Sequence, residues 1–142
     1  MNDTTSASPS QSPRALGGLR HVFIDRLTVM ARIGVHAHEK LQPQRLIISV
    51  DLTVDDDRTA HHSDDLASVV CYETVVRRIE AFCRGEHINL LETLAEKLAE
   101  LCLADPRVQS ARLRIEKPDA FANAAAVGIA IERFRAASRS AD

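Results

Sequence analysis

Hydrophobic side chains recur along this chain with two different periods, and the changes of period mark out strands and helices. From Leu27 to Val35 the apolar residues are Leu27, Val29, Ala31, Ile33 and Val35, with Thr28, Met30, Arg32 and Gly34 between them. That alternation predicts a half-buried strand. Arg45 to Val54 repeats it, with Leu46, Ile48, Val50, Leu52 and Val54 on one side and Ser49, Asp51 and Thr53 on the other. The connection, His36 to Gln44, is polar and contains Pro43, so the two strands are expected to pair antiparallel across a loop. Asp55 to Ser68 is a polar connector that includes HHSDD. Helical spacing follows in Tyr72, Val75, Val76, Ile79, Phe82 and Cys83, closed by Gly85. In Asn89 to Glu100, NLLETLAEKLAE, and just beyond it, Leu91, Leu94, Ala95, Leu98, Leu101 and Cys102 form one apolar stripe of a second helix, which stops before Pro106. Val108 to Lys117 alternates again, and Pro118 favours an extended Lys117 at the strand end. Ala126 to Phe134 supplies a last strand, with Val127, Ile129 and Ile131 on its apolar side. The order strand, strand, helix, helix, strand, strand predicts an α+β fold: a four-stranded antiparallel sheet with both helices on one face.

The other sheet face collects Thr28, Arg32, Ser49, Asp51, Thr53, Arg112, Arg114, Glu116 and Glu132, too polar and too mixed in sign for a dry core. It must meet water, as open surface or as the lining of a wet channel between subunits. Asn89 followed by Glu92 reads as a helix start in which the Asn caps an amide and the Glu reaches back. The competing reading is that Glu92, a carboxylate on a first helical turn, holds a small polar ligand that presents paired donors.

Composition narrows the function classes. The net charge is -2, with Lys and Arg spread along the chain and no basic run, which argues against nucleic acid as a partner and for a small ligand. No apolar stretch approaches the ~18 residues of a membrane span. Cys71, Cys83 and Cys102 form no C-x-x-C pair, and the N-terminal stretch lacks a signal-peptide run, so the expected compartment is the reducing cytosol. Residues 1–20, rich in Ser, Thr and Pro, are expected to form a disordered leader, residues 21–135 the folded domain, and residues 136–142 a flexible tail. A small aliphatic core with no Trp would gain from burial against further copies of the chain.

Four ordered motifs carry a family resemblance: IGVHAHEKLQPQ, DDLASVVCYETV, LLETLAE and EKPDA. Together, across Val22 to Arg135, they are similar to the dihydroneopterin aldolases, tunnelling-fold pterin enzymes. The resemblance implies a homo-octamer of two stacked rings, or a homotetramer, with active sites at subunit boundaries and the polar sheet face lining a tunnel. It implies retro-aldol cleavage of dihydroneopterin to hydroxymethyl-dihydropterin and glycolaldehyde in folate biosynthesis, with no cofactor, no metal and no Schiff base. By the same resemblance Glu92 anchors the pterin's amino and ring amide donors, and Leu91 beside it contacts the substrate. Lys117 transfers protons, Tyr72 reaches a neighbouring subunit's site to protonate the intermediate, and Glu39 stands near the lysine and the substrate hydroxyls.

Three alternatives stand beside that reading. His36-x-His38 has the spacing of a zinc-binding pair that His61 or His62 would complete. An epimerase of dihydroneopterin or its triphosphate would share the fold and much of the site. A noncatalytic pterin-binding protein would need Glu92 but not Tyr72, Lys117 and Glu39 together.

Overall fold

The computed structural model describes residues 18–55 and 64–136. The elements are β1 (Leu19–Ala31), β2 (Gln44–Asp55), α1 (Tyr72–Cys83), α2 (Leu91–Leu103), β3 (Val108–Lys117) and β4 (Val127–Phe134), with short 3-10 turns at Ala37–Lys40 and Leu66–Ser68. The strands lie in chain order in one antiparallel sheet. This is the expected α+β architecture.

One sheet face is dry. Leu46, Ile48, Val50, Leu52 and Val54 from β2 meet Ala111, Leu113 and Ile115 from β3, and the stripes of Val75, Ile79 and Cys83 on α1 and Leu94, Leu98 and Cys102 on α2 close over them. Burial raises the Cys83 and Cys102 thiols to about 11, so both behave as small apolar core residues. Arg133 on β4 ties down α2 through Glu96. No helix among the described residues is long and apolar enough to cross a membrane.

The first strand departs from its expected bounds. It starts at Leu19, eight residues before Leu27 and inside the stretch assigned to the leader, and it ends at Ala31 instead of Val35. A bulge between Ile24 and Leu27 explains the early part: Arg26 takes φ 60, and the pairing slips there. Val22 and Ile24 therefore face the core from even positions and Leu27, Val29 and Ala31 from odd ones, which destroys the alternation that a single strand would show. At the other end the chain leaves the sheet. Ile33 is buried but bridges to Ile88, parallel, and Val35 is 49% exposed.

The second face is polar as expected, with one difference. Glu116 is 7% exposed because the arginines beside it cover it: Arg26 Nη1 reaches its carboxylate at 3.1 Å and Arg114 Nε at 3.3 Å. Phe23 also stands on this face, 68% exposed.

Candidate active site

The end of the sheet where β1 stops, β2 begins and β3 stops gathers a cluster of charge. Lys117 is the last residue of β3, extended as Pro118 requires, and its Nζ donates to Glu39 Oε2 at 2.8 Å. The two side chains are only 16% and 10% exposed. Glu39 comes from the 3-10 turn between β1 and β2, where its Oε1 accepts from the His36 backbone N–H at 3.1 Å. Gln44, the first residue of β2, donates from Nε2 to Glu39 Oε2 at 3.0 Å and to the Ile33 carbonyl at 2.8 Å.

Burial by itself would raise the Glu39 pKa. The hydrogen bonds from Lys117, Gln44 and the His36 amide, with the Lys117 charge, outweigh it and bring the carboxyl down to about 2. Charge-assisted bonds in a place this dry hold both partners in a fixed geometry. The site therefore presents an ammonium already aimed, with its counter-charge beneath it.

The turn has a specific backbone requirement. Gly34 has φ +129, and a Cβ built there would stand 2.2 Å from Glu39 Cδ, so glycine serves both the conformation and the space. Its N–H donates to the Ile88 carbonyl at 3.0 Å, and the Ile88 N–H donates to the Arg32 carbonyl at 2.9 Å. These bonds stitch the end of β1 to the segment leading into α2, which places Glu92 at the same end of the molecule as Glu39 and Lys117.

Glu92 is not a cap. The N-cap of α2 is Leu90, in extended backbone with no side-chain cap, which makes Glu92 the second helical residue; the expected box with Asn89 fails because the helix begins one position too late for the Glu to reach back. Glu92 is exposed, and its carboxylate bonds to no other described residue. Leu91 beside it is half-buried against the core.

Tyr72 is elsewhere. It opens α1, 66% exposed, whereas the far end of α1 leads to His87 and Ile88 beside Gly34. Twelve helical residues separate the two ends by about 18 Å. One chain thus brings Glu39, Lys117 and Glu92 to one end and leaves Tyr72 at the other.

His36 and His38 are exposed, with rings stacked 5.7 Å apart at 3°. Among the described residues no three His, Cys, Asp or Glu side chains are grouped to hold a metal ion, and the completing candidates His61 and His62 lie outside the described residues. The sequence reading missed Gly34 and the two bonds of Gln44 as parts of the site, although both residues stand within the IGVHAHEKLQPQ motif. His87, whose ring contacts the Gly34 carbonyl, carried no sequence signal at all.

The sequence profile described as dihydroneopterin aldolase matches residues 22–132. The dihydroneopterin aldolase of Escherichia coli K12 is 37% identical over 112 residues, which is 79% of this chain and 91% of that one. The crystal structure of the Escherichia coli enzyme in complex with neopterin has a TM-score of 0.75 at 36% identity, covering 80% of this chain and 98% of that one. A dihydroneopterin aldolase structure from Burkholderia thailendensis, bound to guanine, has a TM-score of 0.69 at 32% identity and covers 83% and 93%. Matching over most of its length in sequence and in fold, this chain belongs to the dihydroneopterin aldolase family.

Proposed function

We propose that this protein is a dihydroneopterin aldolase, cleaving dihydroneopterin to hydroxymethyl-dihydropterin and glycolaldehyde. The observation that carries the reading is the largely buried ion pair of Lys117 and Glu39 at 2.8 Å, held at the end of the molecule where the Glu92 carboxylate bonds to no other described residue. Neopterin and guanine, named in the two related structures, both present an amino group beside a ring amide. A carboxylate offers two acceptor oxygens to such an edge, and Glu92 is free to do so, with Leu91 beside it against the ring.

With the ring held, the chemistry is proton movement. The side-chain hydroxyl loses its proton, the adjacent carbon-carbon bond breaks to release glycolaldehyde, and the electron pair passes into the ring imine, whose nitrogen gains a proton. Lys117 mediates both proton transfers at that end, and Glu39 holds the ammonium and meets the substrate hydroxyls. Protonation of the enol carbon by the Tyr72 phenol, with the ring nitrogen giving back the proton it gained, restores the ring imine and gives the product. The ring imine itself takes up the electrons, so the proposal includes neither metal nor Schiff base. An ammonium clamped to a carboxylate suits proton donation better than attack on a carbonyl.

Tyr72 lies about the length of α1 from the ion pair, so the proposal requires a second copy of the chain to bring its Tyr72 to this site. The outer edges of β1 and β4 are open for sheet pairing with other copies, which fits closure into a ring, as a homotetramer or a homo-octamer of two rings. Three unpaired thiols and a reduced pterin both suit the cytoplasm, where we place the reaction.

The test is incubation of purified protein with dihydroneopterin and with its triphosphate, with products identified by mass. Hydroxymethyl-dihydropterin and glycolaldehyde from the unphosphorylated substrate are expected. Epimer alone would replace this reading with the epimerase, and pterin binding without turnover would replace it with a binding protein.

A further inference from the structure

The loop ahead of α2 contains a histidine that the proposed chemistry does not use. His87 Nε2 lies 2.7 Å from the Gly34 carbonyl oxygen. A carbonyl only accepts, so the proton of this bond is on Nε2. The other ring nitrogen, Nδ1, is shut off from solvent and has no hydrogen-bond partner among the described residues. A buried polar atom left unmatched is uncommon and calls for an explanation. Pure packing does not supply one, because an apolar side chain of similar size would fill the place without leaving a nitrogen unmatched.

The contact has a consequence four bonds away. The Gly34 N–H is fixed by the Ile88 carbonyl at 3.0 Å and its C=O by the His87 ring, so the residue is held on both sides at φ +129, one of many conformations open to a glycine. Gly34 is the surface against which the Glu39 carboxylate packs. The same short run continues to His36, whose N–H holds Glu39 Oε1. A pocket of about 460 Å³ opens beside the imidazole, lined by Phe82, His87, Ile88, Thr93 and Lys97 among others.

We propose that His87 is a positioning residue for the aldolase reaction: its imidazole fixes the Gly34 turn and thereby aims the Glu39 carboxylate at Lys117. This rests on the proposed roles of Glu39 and Lys117.

The test compares His87→Gln with His87→Asn. The Gln amide nitrogen takes the place of Nε2 and keeps the bond to Gly34, while the Asn amide reaches only as far as Nδ1. Both variants are first matched to wild type in melting temperature and particle mass, with His87→Leu as a further variant lacking the donor. In His87→Asn, turnover is expected to fall ~10-fold to ~100-fold, the scale of a sub-ångström to 1 Å misplacement, with KM little changed, and His87→Gln is expected to recover most of it. Carbon-13 titration of Glu39 in the free protein reads the positioning without any substrate: its midpoint should move up toward the ordinary 4.5 in His87→Asn and return in His87→Gln. An unmoved Glu39 titration in folded His87→Asn, or a His87→Gln no better than His87→Asn, overturns the inference. If the titration moves and turnover does not, the positioning stands and the role given to Glu39 fails instead.

Discussion

The carboxylate of Glu39 occupies the space in which a side chain at Gly34 would stand, with Cδ and Oε1 2.2 and 2.3 Å from the position of a Cβ there. Gly34→Ala must therefore move Glu39 as well as strain a residue at φ +129. We expect a stability loss of about 1 to 3 kcal/mol and a fall in kcat of ~100-fold. Denaturant melts and steady-state rates check it; an Ala variant with wild-type kcat shows that the packing of Glu39 on this turn is irrelevant to turnover.

Removing the other partner separates charge from packing. Lys117→Ala leaves Glu39 with Gln44 and the His36 amide only, so its pKa should rise from about 2. Turnover should fall ~100-fold or more with a smaller loss of pterin affinity, as for a lost general acid-base group. Rapid-quench rates and binding titrations measure both, and normal single-turnover chemistry would remove Lys117 from the mechanism.

The pair also sets an acid limit on stability. The folded-state pKa of Glu39, about 2, lies below the ordinary 4.5, so the unfolded chain binds this proton more readily than the folded one. The contribution is fully present above pH 4.5 and is lost as pH falls toward 2, to an extent of about 3 kcal/mol. The difference in unfolding free energy between wild type and Glu39→Gln should shrink across that window. A difference that stays flat from pH 6 to pH 2.5 would contradict it.

Glu92 is exposed and bonded to no described neighbour, so Glu92→Gln should leave melting unchanged. It turns one acceptor into a donor facing a donor, a mismatch of about 1 to 3 kcal/mol, and pterin affinity should drop ~10-fold to over 100-fold. Calorimetric titration with neopterin decides whether Glu92 is the ring anchor.

Because Tyr72 and Lys117 stand at opposite ends of one chain, each complete site should draw on two. Light scattering should give a mass above that of a dimer. Tyr72→Phe should fold normally, its side chain being exposed, yet release an abnormal product from an enol left unprotonated. Co-assembly of Tyr72→Phe with Lys117→Ala should restore the normal product at sites that receive one intact residue from each. A monomeric mass, or no recovery on co-assembly, means the sites are not shared.

Local pattern and tertiary placement divide along clear lines in this molecule. The alternation of Ala111, Leu113 and Ile115 against Arg112, Arg114 and Glu116 runs on to Pro118, and the strand, Val108–Lys117, stops there. The stripe from Val75 to Cys83 likewise matched α1, because periodicity is a property of neighbouring residues facing one core. Strand β1 escaped in its first half because a bulge at Arg26 inverts which residues face inward, and such a slip depends on the partner strand. Asn89 and Glu92 looked like a cap because the spacing is right, but the helix start was set by the bonds of Ile88 to Arg32 and Gly34, far away in sequence.

The same holds for the site. Sequence alone determined the order of elements, the polar second face, the extended backbone of Lys117 and, through four ordered motifs, the family and the residue types worth watching. Tertiary structure decided that Lys117 meets Glu39 across 78 positions, that Gln44 and the His36 amide complete the carboxylate's partners, that Gly34 makes room for it and that His87 braces Gly34. It also decided that Tyr72 is not among them. The reason is physical: periodicity reports which side of an element is dry, whereas a charge pair at 2.8 Å depends on where folding brings two distant chain segments, and no local spacing encodes that.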